Sequence, residues 1–164
     1  MEKDEKESPA EKLHSEFMKL KEKHTLPEFK LLDEDFDIDK LEEKDGEIKI
    51  KDIRRLVTEK TSAYLRFFEA LINPSSSPSF VFSFLKNPTE SETKEIKDCY
   101  KELSRIQIQT IKLDTIYNEK EEVKFINETV KKWQTLKQII FTLVENFEQK
   151  FEKNSFEKEK SYFG

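Results

Sequence analysis

The chain of 164 residues sets 30 Lys and Arg against 35 Asp and Glu, for a formal net charge of -5, and 40% of its residues are charged. Such a length suits one ordinary domain, the acidic balance excludes the global basic field that draws proteins to nucleic acid non-specifically, and a single cysteine excludes an intrachain disulfide or a Cys-based zinc cluster. A mean hydropathy of -0.82 taken alone points to disorder, but fourteen Phe and only two Gly point instead to long helices with apolar stripes and charged outer faces.

Residues 1–7 read as a charged tail without the apolar segment of a secretion signal, and no apolar run reaches the ~18 residues of a membrane span. A cytoplasmic protein with no membrane partner is the expectation. Ser8-Pro9-Ala10-Glu11 then supplies an N-cap, a proline at the first helical position and a glutamate at the third, so a helix starts there. Leu13, Phe17 and Leu20 share one face of it, and Thr25-Leu26-Pro27 ends it. Residues 28–32 add one more turn before the acidic stretch 33–39, where repulsion and the turn preference of Asp predict a solvated loop. Phe36 and Ile38 on one side of the Asp45-Gly46 turn signal, and Ile48 and Ile50 on the other, alternate with polar residues as in a small two-stranded ribbon.

A longer helix follows Asp52, with Ile53, Val57, Tyr64, Phe68 and Leu71 on one face and Leu56, Phe67 and Ile72 widening it. Residues 73–79 have the Pro- and Ser-rich composition of an internal linker. Behind them comes an aromatic run containing Phe80, Phe82 and Phe84, which either caps the core or forms an exposed apolar patch. Thr89-Glu90-Ser91-Glu92 is a capping box leading into two long helices folded back near residues 117–120, where Asn118-Glu119-Lys120-Glu121 marks the second start. In the first arm Ile96, Cys99, Leu103, Ile106, Thr110, Leu113 and Tyr117 form a heptad-like seam. In the second, Val123, Ile126, Val130, Trp133, Lys137, Ile140, Val144, Phe147 and Phe151 repeat the rhythm, with Lys137 as the interruption. Residues 153–164 read as a charged C-terminal tail.

The candidate chemistries are incomplete. A calcium loop opened at Asp35 meets Lys40 where glycine is required and Gly46 where the bidentate carboxylate belongs; one centred on Gly46 opens on Leu41, which has no oxygen to offer. Glu11 and His14 have the Glu-x-x-His spacing of di-iron bundles, but the second pair is missing. Cys99 sits on a seam and reads as a small buried hydrophobe. The sequence therefore predicts an all-α bundle of four to five helices built on a long antiparallel hairpin, one domain spanning 8–152, with no catalytic residues, metal or cofactor. It reads as a non-enzymatic protein–protein interaction module or adaptor subunit binding another protein, a further copy of itself included, through Phe80, Phe82 and Phe84. The alternative is an accessory subunit of a nucleic-acid-processing complex that contacts phosphates through Lys51, Arg54, Arg55 and Arg66, arginine's planar fork being suited to them.

Overall fold

The computed structural model describes residues 7–162, leaving aside the side chains of 76 and 156–162. Among the described residues six α-helices follow one another: α1 (Pro9–Lys23), α2 (Phe29–Phe36), α3 (Ile50–Ile72), α4 (Ser79–Phe84), α5 (Glu90–Thr115) and α6 (Glu119–Tyr162). Short 3-10 segments, Ile38–Glu43 and Pro74–Ser76, lead into α3 and α4, and no strand occurs among the described residues. The fold is an all-α bundle in which α3, α5 and α6 pack together, with α5 and α6 forming the antiparallel hairpin. Of the two predicted tails, 1–6 and 163–164 lie outside the described residues, and 153–162 continue α6 as helix. The chain gathers into two compact units, Met1–Lys60 with Ile108–Lys131 and Thr61–Gln107 with Lys132–Gly164.

In the first unit the predicted start of α1 is made as a reciprocal capping box. Ser8 Oγ accepts from Glu11 N–H, and Glu11 Oε2 accepts from Ser8 N–H at 2.9 Å. Leu13 and Phe17 are buried on α1, and Phe17 meets the edge of Phe29 at a centroid distance of 5.3 Å. The acidic stretch departs from the predicted solvated loop. Helix α2 runs on to Phe36, Asp35 is buried within it, and only at Asp37, with φ of 53°, does the backbone turn into the left-handed region. The apolar residues that stand on one side of α2 outweigh the turn preference of its aspartates.

Nor does the ribbon form. Phe36, Ile38, Ile48 and Ile50 are all buried, yet the backbone between them bonds locally, Asp37 N–H to Asp33, Lys40 N–H to Asp37 and Lys44 N–H to Leu41, while Ile48 N–H donates to the Glu16 carboxylate at 2.9 Å. Their alternation marks anchors of a loop on the core, with backbone groups satisfied without a ladder. Gly46 supplies the predicted turn with φ of 86°. Asp52 then accepts from Lys49 N–H at 2.7 Å and from Lys44 Nζ at 2.6 Å, fixing the entry to α3.

In the second unit the Thr89–Glu92 box is again reciprocal, with Thr89 N–H on Glu92 Oε2 at 2.9 Å and Glu92 N–H on Thr89 Oγ1 at 3.0 Å. Lys150 Nζ donates to the same carboxylate at 2.6 Å, tying the start of α5 to α6. Burial alone would raise the Glu92 pKa, but these bonds outweigh it and hold the carboxyl below its usual range. The α5 seam is buried through Ile96, Cys99, Leu103 and Ile106 as predicted and, in the first unit, through Thr110, but Leu113 is only half-buried and Tyr117, 55% exposed beyond the end of α5, drops out of it.

On α6 the seam keeps its alternation of threes and fours but changes phase after Trp133. After Trp133 the buried residues are Leu136, Ile140, Leu143 and Phe147, so Leu136 replaces Lys137 and Leu143 replaces the half-exposed Val144. A step of three from Trp133, instead of four, leaves the apolar stripe uninterrupted and sets Lys137 on its flank. Leu136→Ala is accordingly expected to cost about 2–5 kcal/mol and Lys137→Ala less than about 1 kcal/mol, both measured by urea denaturation. Equal losses would return Lys137 to the seam.

Candidate partner-binding surface

Helix α4 is short and is held by two of its side chains. Val81 is buried, and Phe84 lies half-buried in a stack on Phe147 of α6, ring centroids 4.9 Å apart and planes within 7°. Phe80 meets the edge of Phe84 at 5.5 Å. The segment entering α4 is pinned by Ser77 Oγ, which donates to the Ala70 carbonyl at 2.9 Å. With the helix fixed in this way, Phe80 and Phe82 remain 49% and 52% exposed. The predicted trio is therefore divided: Phe84 joins the packing and the other two face solvent. On α6, Val144 and Phe151 stand about one turn to either side of Phe147, each 45% exposed. Phe80, Phe84 and Phe147 thus make one aromatic chain of contacts, continued along α6 by exposed apolar neighbours.

The cationic set of the alternative reading is divided more sharply. Lys51 is half-buried on α3, Arg55 is exposed beside it, and Arg66 is exposed in the second unit, where it lines a cleft with Glu69 and Tyr100. Arg54 points inward. Its side chain is 2% exposed, its Nε donates to Glu122 Oε2 at 3.0 Å, and its Nη2 donates to Asp114 Oδ1 at 2.6 Å. Burial works against the guanidinium charge, but the carboxylates of Asp114 and Glu122 outweigh it and raise the Arg54 pKa above its ordinary value. One turn along, Thr58 Oγ1 lies 3.4 Å from Thr110 Oγ1, so a polar layer threads α3 and α5 of this unit. The signal was present in the sequence: Arg54 stands four residues after Ile50 and three before Val57, and Glu122 four before Ile126, each on the apolar stripe of its helix.

The remaining candidates are accounted for structurally. Glu11 is engaged in its capping box, and His14 meets the Phe29 edge at 5.1 Å. Among the described residues no three His, Cys, Asp or Glu side chains gather as a metal ligand set. Cys99 is 1% exposed, and burial, with Glu95 and Asp98 adding to it, pushes the thiol up to about 11. No helix of the described residues is long and apolar enough to cross a membrane. Comparison with known proteins finds no family model, no curated protein and no solved structure that matches this chain.

Removing one partner of the buried pair strands a charge. Glu122→Leu is expected to cost about 3–5 kcal/mol, and the combined Arg54→Met, Glu122→Leu change to recover most of it, because a packed apolar pair replaces the ions. Urea denaturation of the single and double variants reads the recovery; additive losses would deny the coupling. The Cys99 thiol is expected to resist iodoacetamide at pH 8 in the folded protein and to react on unfolding. Because its folded pKa of about 11 lies above the ordinary 9.0, its contribution to stability is complete below pH 9 and declines as pH rises toward 11. Alkylation of native protein as fast as of a free thiol would contradict this burial.

Proposed function

We propose that this chain is a non-enzymatic helical interaction module, an adaptor subunit that docks another protein on the aromatic side of α4 and the adjoining turns of α6. The observation that carries the reading is the division of α4: Val81 and Phe84 hold it down while Phe80 and Phe82 are left half-exposed. Aromatic side chains give a large contact area for little conformational entropy, and their clustering is what distinguishes the energetic centre of a protein interface. On α6, Val144 and Phe151 flank Phe147, on which Phe84 stacks, and each is 45% exposed, which adds exposed apolar surface to the same helix that holds α4. The partner this surface suits presents its own apolar anchor to the two phenylalanines. The alternative of phosphate contact through Lys51, Arg54, Arg55 and Arg66 is weakened where Arg54 is taken up by Glu122 and Asp114.

The test is a Phe80→Ser, Phe82→Ser chain. Neither residue is buried, so the far-ultraviolet circular dichroism and melting temperature are expected to stay close to the parent's. Used side by side as baits, the parent is expected to retain a partner that the variant loses or holds at least tenfold more weakly by titration of the purified pair. Partners retained equally by both chains would sink this surface as the docking site.

A further inference from the structure

We propose that the groove at the hairpin end of the first unit is a two-fold contact between two copies of this chain. The groove encloses about 400 Å³ between the end of α5 and the start of α6. Residues 121, 124, 125 and 128 of α6 meet it with the i, i+3, i+4, i+7 spacing of one helical face, and α5 brings residues 109, 112 and 113, with Ile116 just past its end and still bonded through its N–H to the Lys112 carbonyl at 3.2 Å. Leu113, half-buried, and Phe125, 4% exposed, form an apolar floor. At the turn end of that floor stands Ile116, whose 75% exposure is the highest of any large apolar side chain described.

A knob beside its own hole defines a symmetric contact. Ile116 stands just past the end of α5, three residues beyond Leu113, and because its N–H keeps the helical bond to the Lys112 carbonyl it lies about one turn, roughly 4.5 Å, from Leu113 along the helix direction. A two-fold axis crossing the hairpin midway between them carries the Ile116 of each copy onto the Leu113 and Phe125 floor of the other, as an isologous interface requires. The charges follow the same operation. Because α5 and α6 run antiparallel and Arg54 joins Asp114 to Glu122 across them, Lys112 is about level with Lys124 beside the floor, and Glu121 stands about one residue's rise from the level of Ile116. The axis that seats the knob therefore sets Glu121 of each copy against the two lysines of the other. Lys112, Glu121 and Lys124 form no ion pair within the chain among the described residues, so their charges are available for that match. A partner of one sign, such as a phosphate backbone or an anionic lipid surface, would meet Glu121 and Glu128 as well as the lysines; the groove complements itself. This contact is independent of the α4 surface and stands or falls separately from it.

The contact spans few helical turns and buries less than the roughly 800 Å² per partner of a stable complex, so a weak association is expected. Sedimentation of the full chain from ~5 to ~500 µM at low salt should show a concentration-dependent passage from monomer to dimer, the range a small interface requires. Ile116→Asp should leave a monomer throughout. Glu121→Lys alone should also be monomeric, since each copy then brings a lysine against two lysines, and so should Lys112→Glu with Lys124→Glu. Mixing these two charge-reversed chains should restore a mixed dimer of at least parental affinity, because every reversed contact is again of opposite sign. The Phe80→Ser, Phe82→Ser chain should dimerise like the parent. All these positions but Leu113 and Phe125, which are left unchanged, are exposed, and unchanged circular dichroism verifies folding. A parent that is monomeric at every concentration, a dimer untouched by Ile116→Asp, or charge-reversed chains that fail to pair when mixed would each overturn the proposal.

Discussion

The buried pair of Arg54 and Glu122 is the constraint on which the helical arrangement of the first unit depends. Taking two ions out of water costs several kcal/mol each, and the cost is offset only where geometry lets them meet. Asp114 joins them through the second guanidinium edge, so α3, α5 and α6 are tied at one level by three charges. An apolar seam alone lacks this discrimination. Its heptad rhythm repeats along α5 and α6, and a slip of seven residues would set leucines and isoleucines against similar neighbours. The same slip would leave Arg54 without carboxylates and Glu122 buried alone. Polar residues thereby select one register from among those that hydrophobic burial permits, and the hairpin turn, where Asn118 Oδ1 accepts from the N–H groups of Lys120 and Glu121, lies four residues before Glu122 and inherits that register.

What was legible in the sequence follows from how far apart the deciding residues lie. The capping boxes at Ser8 and Thr89 and the turn near Asn118 are settled by groups three residues apart, and each formed where the spacing placed it. The all-α class and the hairpin rest on stripes many residues long, and these too were readable. The misreadings are those in which distant packing chooses between near-equal local options. Leu136 and Lys137 are adjacent, and either maintains a seam of threes and fours; the facing helices decide that the leucine goes in. Asp35 belongs by propensity to a turn, but Leu32 and Phe36 on either side of it are buried and draw it into α2. Arg54 stands on the apolar stripe of α3, a local sign that it turns inward, but the carboxylates it meets are 60 and 68 residues away, and the sequence near it does not name them.

The aromatic run before Pro88 illustrates a different limit. Six residues of helix give less than two full turns, too few for a periodic pattern to declare an inner and an outer face. Such a short helix is also unstable by itself, since nucleation fixes several residues for few hydrogen bonds. Its conformation is therefore set by what it touches: the Phe147 ring beneath Phe84, the pocket around Val81, and the tether from Ser77 to the end of α3. Whether Phe80 would be inside or outside was a question about α6, some sixty residues downstream, and could not have been answered from the run itself.

The same dependence bears on what α4 can do. An element held by two apolar side chains and one hydroxyl tether has little of its own energy to resist small adjustments, because local stability tracks the number of buried contacts. The long helices, by contrast, are fixed along their length by continuous seams and, in the first unit, by buried charge. Rigid and adjustable parts are thus distributed unevenly within one small chain. Large aromatic surface placed on the adjustable part lets the ring positions conform to an approaching surface at modest cost, while the seams beneath keep their registration. The hairpin-end groove represents the opposite solution: its walls are two helices whose turn is capped and whose register is pinned by Arg54, a fixed shape of the kind that suits selection by complementary spacing and charge.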